Sequence, residues 1–278
     1  AQTYGVVASD LPVAPARGAL PSDTTFACLQ RAQHYRRAFD AKLRGPVRDC
    51  LERAVERDPQ VAEGWAMLGW VLLETTLFER VNPEERSVLI DQSLAATERA
   101  VELAPDVVLP LQARAATLYY AERFAESQSA IRRAYEINPN DPEILHQMGW
   151  RLAARGQLEE GVGYIRQAIA RSIDPPPRYF NFLAIDALVK ADYPAMLTYA
   201  RQSANGGSPV GNILLAIALG HSPDATPNEI AAAFDRAGKR QPMILSTPEK
   251  VFAGHRLVPE LATAIITGMT QAGWSPSR

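Results

Sequence analysis

Four histidines, His34, His146, His221 and His255, are the side chains in this 278-residue chain best suited to moving protons or binding a metal near neutral pH. A metal site would need such donors three or four residues apart on a helix, or a histidine, cysteine and carboxylate cluster. Neither spacing occurs. The stretch "NGGSPVGN", residues 205–212, has glycines but no lysine and no preceding strand, so it reads as a loop between helices rather than a phosphate cradle. No Gly-x-Ser-x-Gly elbow is present. The adjacent carboxylates Glu159 and Glu160 open a helix, where they complement the positive end of its dipole. The chain is therefore expected to be non-catalytic, with no metal and no cofactor.

The two cysteines, Cys28 and Cys50, are too few for a disulfide scaffold and wrongly spaced for zinc, and they read as small buried hydrophobes. Suppose that "FACLQRAQHYRRAFDAKL" and "PVRDCLERAVER" are antiparallel helices joined near Arg44 and Gly45. Cys50 then faces residue 38 or 39, and Cys28 lies about 15 Å away along the axis, beyond the reach of a disulfide. Reduced cysteines and the lack of an export signal predict a cytoplasmic protein. The same segment is basic, with Arg31, Arg36, Arg37, Lys42, Arg44 and Arg48 against Asp40. It reads as solvated charge on a terminal helix, or as an interface with an upstream domain, rather than as a nucleic-acid surface. The whole chain balances 29 basic against 31 acidic side chains.

Composition is that of a globular protein, 47% hydrophobic and 22% charged. No apolar run reaches the roughly 18 residues needed to span a bilayer, so no membrane partner is expected. The opening "AQTYGVVASDLPVAPARGALPSD" has neither a basic start nor a long apolar stretch. It begins at Ala1 rather than Met, and the chain reads as a fragment of something longer. A short strand is expected at "YGVV", and about 14 helices elsewhere.

The elements that could position a site emerge from one glycine. Gly149 sits inside the helical pattern "DPEILHQMGWRLAARG", where glycine costs about 1 kcal/mol against alanine, so a packing reason is expected. Other segments place a small residue after a large one in the same way: Trp65 with Gly69, Leu111 with Ala115, Leu145 with Gly149, Phe180 with Ala184, and Ala216 in a degenerate unit. Leu111 to Leu145 is 34 residues and Leu145 to Phe180 is 35. Second helices keep step, Ser127, Ile131 and Ala134 matching Gly161, Ile165 and Ala168. Pro59, Pro105 and Pro139 each stand six residues before the anchors Trp65, Leu111 and Leu145. The unit at Trp65 carries 12 extra residues around "FERVNPEERS". Thr226, Pro227 and Glu229 form a capping box, and Gly273 reads as a C-cap.

These positions resemble the tetratricopeptide repeat. The resemblance implies an all-α fold, a right-handed α-α superhelix of about six helix pairs with an irregular C-terminal helical cap. The regular units are expected between residues 46 and 205. Residues 1–21 read as a linker or remnant of an upstream domain, 22–240 as the repeat domain and 241–278 as the cap. A wider resemblance, carried by "YGVV", "FACLQRAQHYRRAF" and "HRLVPELATAIITGMTQAGW", is to the C-terminal repeat region of bacterial multidomain regulators. Those regulators have a TolB-like segment and an upstream adenylate cyclase or winged-helix domain.

In repeats of this kind the first helix of each pair lines a concave face. Counted from the anchors, the inward positions are Trp70, Gln112, Tyr119, Tyr120, His146, Trp150, Arg178 and Asn181. Trp70 and Trp150 have a second reading, as packing between neighbouring helices. The lysine and asparagine clamp for a peptide carboxylate is not reproduced, its places holding Ala66 and Trp70, Gln112 and Ala116, His146 and Trp150. The expected function is a non-catalytic protein–protein interaction and regulatory module. Its partner is a protein, a peptide or a second copy, not nucleic acid. The alternative is an effector domain sensing a small molecule in the groove.

Overall fold

The computed structural model describes residues 24–38, 41–79 and 81–275; the side chains of 37, 38, 41 and 78 are outside the description. The expected linker at 1–21 and the "YGVV" strand lie outside the described residues. Within them all regular structure is helical. In order the helices are α1 (Thr25–Ala38), α2 (Ala41–Arg57), α3 (Ala62–Phe78), α4 (Pro83–Leu103), α5 (Val108–Tyr120), α6 (Phe124–Ile137), α7 (Pro142–Ala154) and α8 (Leu158–Ala170). A 3-10 turn (Pro177–Phe180) leads into α9 (Asn181–Val189), followed by α10 (Tyr193–Ala204), α11 (Pro209–Gly220), α12 (Pro227–Arg240), α13 (Met243–Ser246), α14 (Pro248–Gly254) and α15 (Pro259–Gln271). Two compact units divide the chain, Ala1–Ile144 and Leu145–Arg278.

The 34-residue period is visible in the backbone of the turns. Between pairs, Asp58, Ala104 and Asn138 each end a helix by donating to the carbonyl four residues back. Val61, Val107 and Asp141 then bond back across the proline to Asp58, Ala104 and Asn138. Within pairs the left-handed residue falls at Glu122, Gly156 and Ala191, with φ of 63°, 91° and 55°. The next amide returns to the helix each time, from Arg123 to Leu118, Gln157 to Leu152 and Asp192 to Ala187. A proline that cannot donate follows the second helix at Pro59, Pro105 and Pro139, and a left-handed residue reverses the chain after α5, α7 and α9. The long pair takes up its 12 extra residues locally. α3 and α4 have 17 and 21 residues where α5 and α6 have 13 and 14, and the linker gains one.

Close approach explains the small positions. A Cβ on Gly149 would lie 2.5 Å from the Gly161 carbonyl oxygen and 2.7 Å from Ile165 Cγ1, so a side chain there would drive α7 and α8 apart. At the matching places in the first unit a hydroxyl closes the gap. Ser93 Oγ donates to the Gly69 carbonyl at 2.6 Å, and Ser127 Oγ donates to that of Ala115 at 2.7 Å. Ile131, Ala134, Ile165 and Ala168 beside them are fully buried. The capping box forms as expected, and Gly273 turns left-handed at φ 91° after α15. Beyond α12 the pairing breaks down into α13, α14 and α15, with α15 packed on α9 and α11.

The cysteine reading is overturned. Cys28 and Cys50 form a disulfide with Cα atoms 5.5 Å apart. Both are 1% exposed, in a core with Ala32, Tyr35, Val47, Leu51 and Ala54. The error lay in the turn. α1 ends at Ala38 and α2 starts at Ala41, about five residues before Arg44 and Gly45, and a hairpin centred near 39 sets residue 28 opposite residue 50. Pro46 lies inside α2 instead of ending a helix. The preceding Gly45 has no Cβ to clash with its ring, and Pro46 faces solvent, where the carbonyl left without a donor meets water.

Candidate binding faces

In the first unit the expected inward residues are mostly closed off. Trp70 on α3 is 5% exposed, packed with Ala66, Leu73, Ala100, Ala113 and Ala116. The Arg36 guanidinium lies 3.1 Å above its ring, and Arg36 Nε is 3.9 Å from Glu74 Oε1. Trp70 is thus packed between helices, the second of its two readings. Gln112 and Tyr119 on α5 are buried too, and Tyr119 meets Tyr120 and Phe124 edge-on at 5.3 and 5.4 Å. Tyr120 alone of these four is half-buried.

The basic segment is not a solvated face throughout. Arg44 is 4% exposed; its Nε donates to the Tyr35 hydroxyl at 2.8 Å and its Nη1 to Glu79 Oε1 at 2.9 Å. Burial first, then the nearby Glu74 charge, holds the Tyr35 phenol protonated well above the ordinary tyrosine range. Arg36 and Arg44 are therefore balanced by Glu74 and Glu79, and their charge is spent inside the fold. Arg31, on the outside of α1, stays exposed. Asp40 and the Arg37 side chain lie outside the description.

In the second unit the inward positions divide differently. His146 on α7 is 5% exposed and lies flat on Tyr179 at 4.0 Å. Trp150, one turn on, is half-buried with the Arg151 guanidinium 4.7 Å from its ring. Arg151 is itself buried, and its Nη1 donates to the Gln147 carbonyl at 2.9 Å. Arg178 stands 5.3 Å from the Tyr179 ring, and Asn181 Oδ1 accepts from Ser203 Oγ at 2.5 Å; both are half-buried. Arg151 and Tyr179 shape this face and were not among the expected residues. Arg151 falls one place after the inward position at Trp150, and Tyr179 one place before the anchor Phe180, so the inward offsets skip both.

Among the described residues no group of three His, Cys, Asp or Glu side chains could hold a metal ion. No described helix is long and apolar enough to cross a membrane. A cleft of about 430 Å³ in the first unit, lined by Leu111, Arg114, Glu126 and Arg133 among others, lies open on the α5–α6 side. It joins none of the expected site residues.

No family model matches the chain. The TPR repeat-containing protein PA4667 of Pseudomonas aeruginosa is 31% identical over 105 residues, covering 33% of this chain and 18% of that protein. This chain therefore spans less than a fifth of the length of that relative. Among solved structures, a chain of the APC/C hetero-tetramer Cut9-Hcn1 superposes with a TM-score of 0.63 at 12% identity, covering 88% of this chain and 43% of that one. PilF of Pseudomonas aeruginosa gives 0.53 at 14% identity, covering 84% and 96%. The tetratricopeptide protein TTC0263 of Thermus thermophilus gives 0.52 at 15%, covering 76% and 98%. The fold is that of an all-α tetratricopeptide-type repeat protein. Proteins of this class generally mediate protein–protein interaction as non-catalytic scaffolds.

Proposed function

We propose that this chain is a non-catalytic module that binds an extended segment of a partner protein on the first-helix faces of its repeats. Residues 22–240 supply the repeats and 241–278 the cap. The observation that carries the reading is the α7 and α9 face of the second unit. There Trp150, Arg178 and Asn181 keep part of their surface while the residues between them are closed. A half-buried indole braced by a guanidinium is a rigid anchor for an apolar side chain, and Asn181 and Arg178 can bond a peptide backbone. Tyr120 offers a comparable ring in the first unit. Trp70, Gln112, Tyr119 and His146 support these faces from beneath. The matching chain of the Cut9-Hcn1 hetero-tetramer, which shares the fold, is solved as part of an assembly of two proteins, which agrees with this use of the repeats.

The test is selection of binders from a random-peptide display library, followed by titration of an enriched peptide. Trp150→Ala should weaken that peptide about 30-fold, the equivalent of roughly 2 kcal/mol for an interface anchor, with little change in melting temperature. Failure to enrich any peptide, or unchanged affinity with a collapsed melting temperature, would sink the proposal. The finer reading, implied by the resemblance to multidomain regulators, is that the module serves a bacterial signalling or transcription regulator. A reading frame with a cyclase or winged-helix domain upstream supports it, and one with neither removes it.

A further inference from the structure

Cys28 and Cys50 are bonded to each other at the edge of the first unit, and their surroundings say what the bond is for. α1 is the first described helix, and its packing partners are α2 and α3. Its buried apolar face is poor. Among its described side chains the buried apolar ones are Cys28, Ala32 and Tyr35, two of them small, with Leu29 partly buried beside them, while Phe26 on the same helix is 57% exposed. A 14-residue helix with so little apolar surface to bury is marginal by itself. The disulfide joins its first turn to the middle of α2, and Arg44 ties its last turn through Tyr35. Both ends of α1 are thus fastened by polar or covalent links in addition to its apolar packing.

We infer that Cys28–Cys50 is a structural disulfide of the working protein, made during maturation in an oxidising compartment, and that it holds α1 against α2 and α3. Both cysteines are 1% exposed, so a reductant reaches them only when α1 lifts away. That burial suits a permanent staple and not a switch, which needs an accessible sulfur. The bond forms by exchange with a disulfide oxidant. One chain thiolate attacks the oxidant and becomes a mixed disulfide, releasing the first oxidant thiolate. The second chain thiolate displaces the other. Two chain thiols lose two protons and two electrons in all, and the oxidant's disulfide becomes two thiols. Arg31 Nη1 stands 3.4 Å from Cys50 Sγ, where its charge favours the thiolate that attacks. Cytosolic thiols are held reduced, so a formed structural disulfide implies that this part of the chain lies in an oxidising compartment. The reading of the cysteines on which a cytoplasmic location rested no longer stands.

The experiment traps thiols in the protein purified from its natural host, using acid quench and alkylation in denaturant, with peptide mass spectrometry. Neither Cys28 nor Cys50 should be labelled without reductant, and both should be labelled after it. Labelling of both without reductant would overturn the inference. A second measurement compares the wild type with the doubly substituted Cys28→Ser, Cys50→Ser chain by hydrogen exchange. Faster exchange confined to α1 and the facing part of α2 is expected, and identical exchange in the two proteins would show that the bond holds nothing. If the double variant does not fold, the same comparison is made on the wild type before and after reduction.

Discussion

Where α7 meets α8, Gly149 and Gly161 let two backbones touch; where α1 meets α2, a disulfide and an arginine–tyrosine hydrogen bond span larger side chains. Both are antiparallel helix pairs. The inner pair depends on the absence of atoms, and any added carbon must displace a backbone. The α1–α2 pair adds specific links, a disulfide and a hydrogen bond, to the apolar core around Cys28 and Tyr35.

The comparison breaks most directly at Gly149. Gly149→Val should destabilise the protein by about 3 kcal/mol, because the β-branched side chain meets the Gly161 carbonyl and Ile165 in a contact with no room to relax. Equilibrium denaturation measures it, and a loss under about 1 kcal/mol would mean the helices separate cheaply. Removing the disulfide comes next. With the cysteines 22 positions apart in sequence, the double serine variant should lose about 3 kcal/mol in the loop-closure view, less where strain or residual structure intervenes. An unchanged denaturation midpoint would show the α1–α2 pair holding by packing alone.

Gly163 sharpens the contrast. It lies on the exposed side of α8 with nothing within 4 Å of where its Cβ would be, so Gly163→Ala should stabilise by about 1 kcal/mol, from helix propensity alone. If Gly163→Ala and Gly149→Val shift stability in the same direction, glycine in α7 and α8 is not about contact. The smallest effect concerns Asp141, whose carboxylate accepts from the Glu143 amide at 2.8 Å at the start of α7. Burial pushes its pKa up, against the pull of the Glu143 and Ile144 amides. With the folded pKa above the unfolded one, the native state binds more protons between the two values. Its contribution to stability therefore falls as pH rises through that window. Asp141→Asn keeps the accepting oxygen and removes the titration. The variant should gain on the wild type as pH rises from the ordinary aspartate range, about 3.9, toward neutrality. Parallel melting curves across that range would show Asp141 to be unperturbed.

Glu229 shows how far local sequence reaches. Its capping box with Thr226 needs only four consecutive residues, and it was legible because every partner is a near neighbour. The repeat register was legible for a similar reason: proline, anchor and small residue recur at fixed offsets. Arg44 was not, since the same arginine is solvated or buried according to whether Tyr35 and Glu79, 9 and 35 residues away, converge on it. Half of the candidate site fared likewise. The offsets named Trp150 and Trp70 as equivalent, yet one keeps exposed surface and the other is closed under Arg36 from α1.

What the sequence by itself determined is the helical repeat, its period, its stops and the small residues at each close approach. These depend on backbone preferences and steric size, which act within a few residues and carry the same meaning in every unit. Only the tertiary structure decided the turn after Ala38, the Cys28–Cys50 bond, the burial of Arg36 and Arg44, and which aromatic rings stay open. Each of those depends on which side chains from distant segments arrive at one place. A shift of five residues in a single turn moves a cysteine about 15 Å along a helix pair, since both strands of the hairpin slide against each other at 1.5 Å per residue.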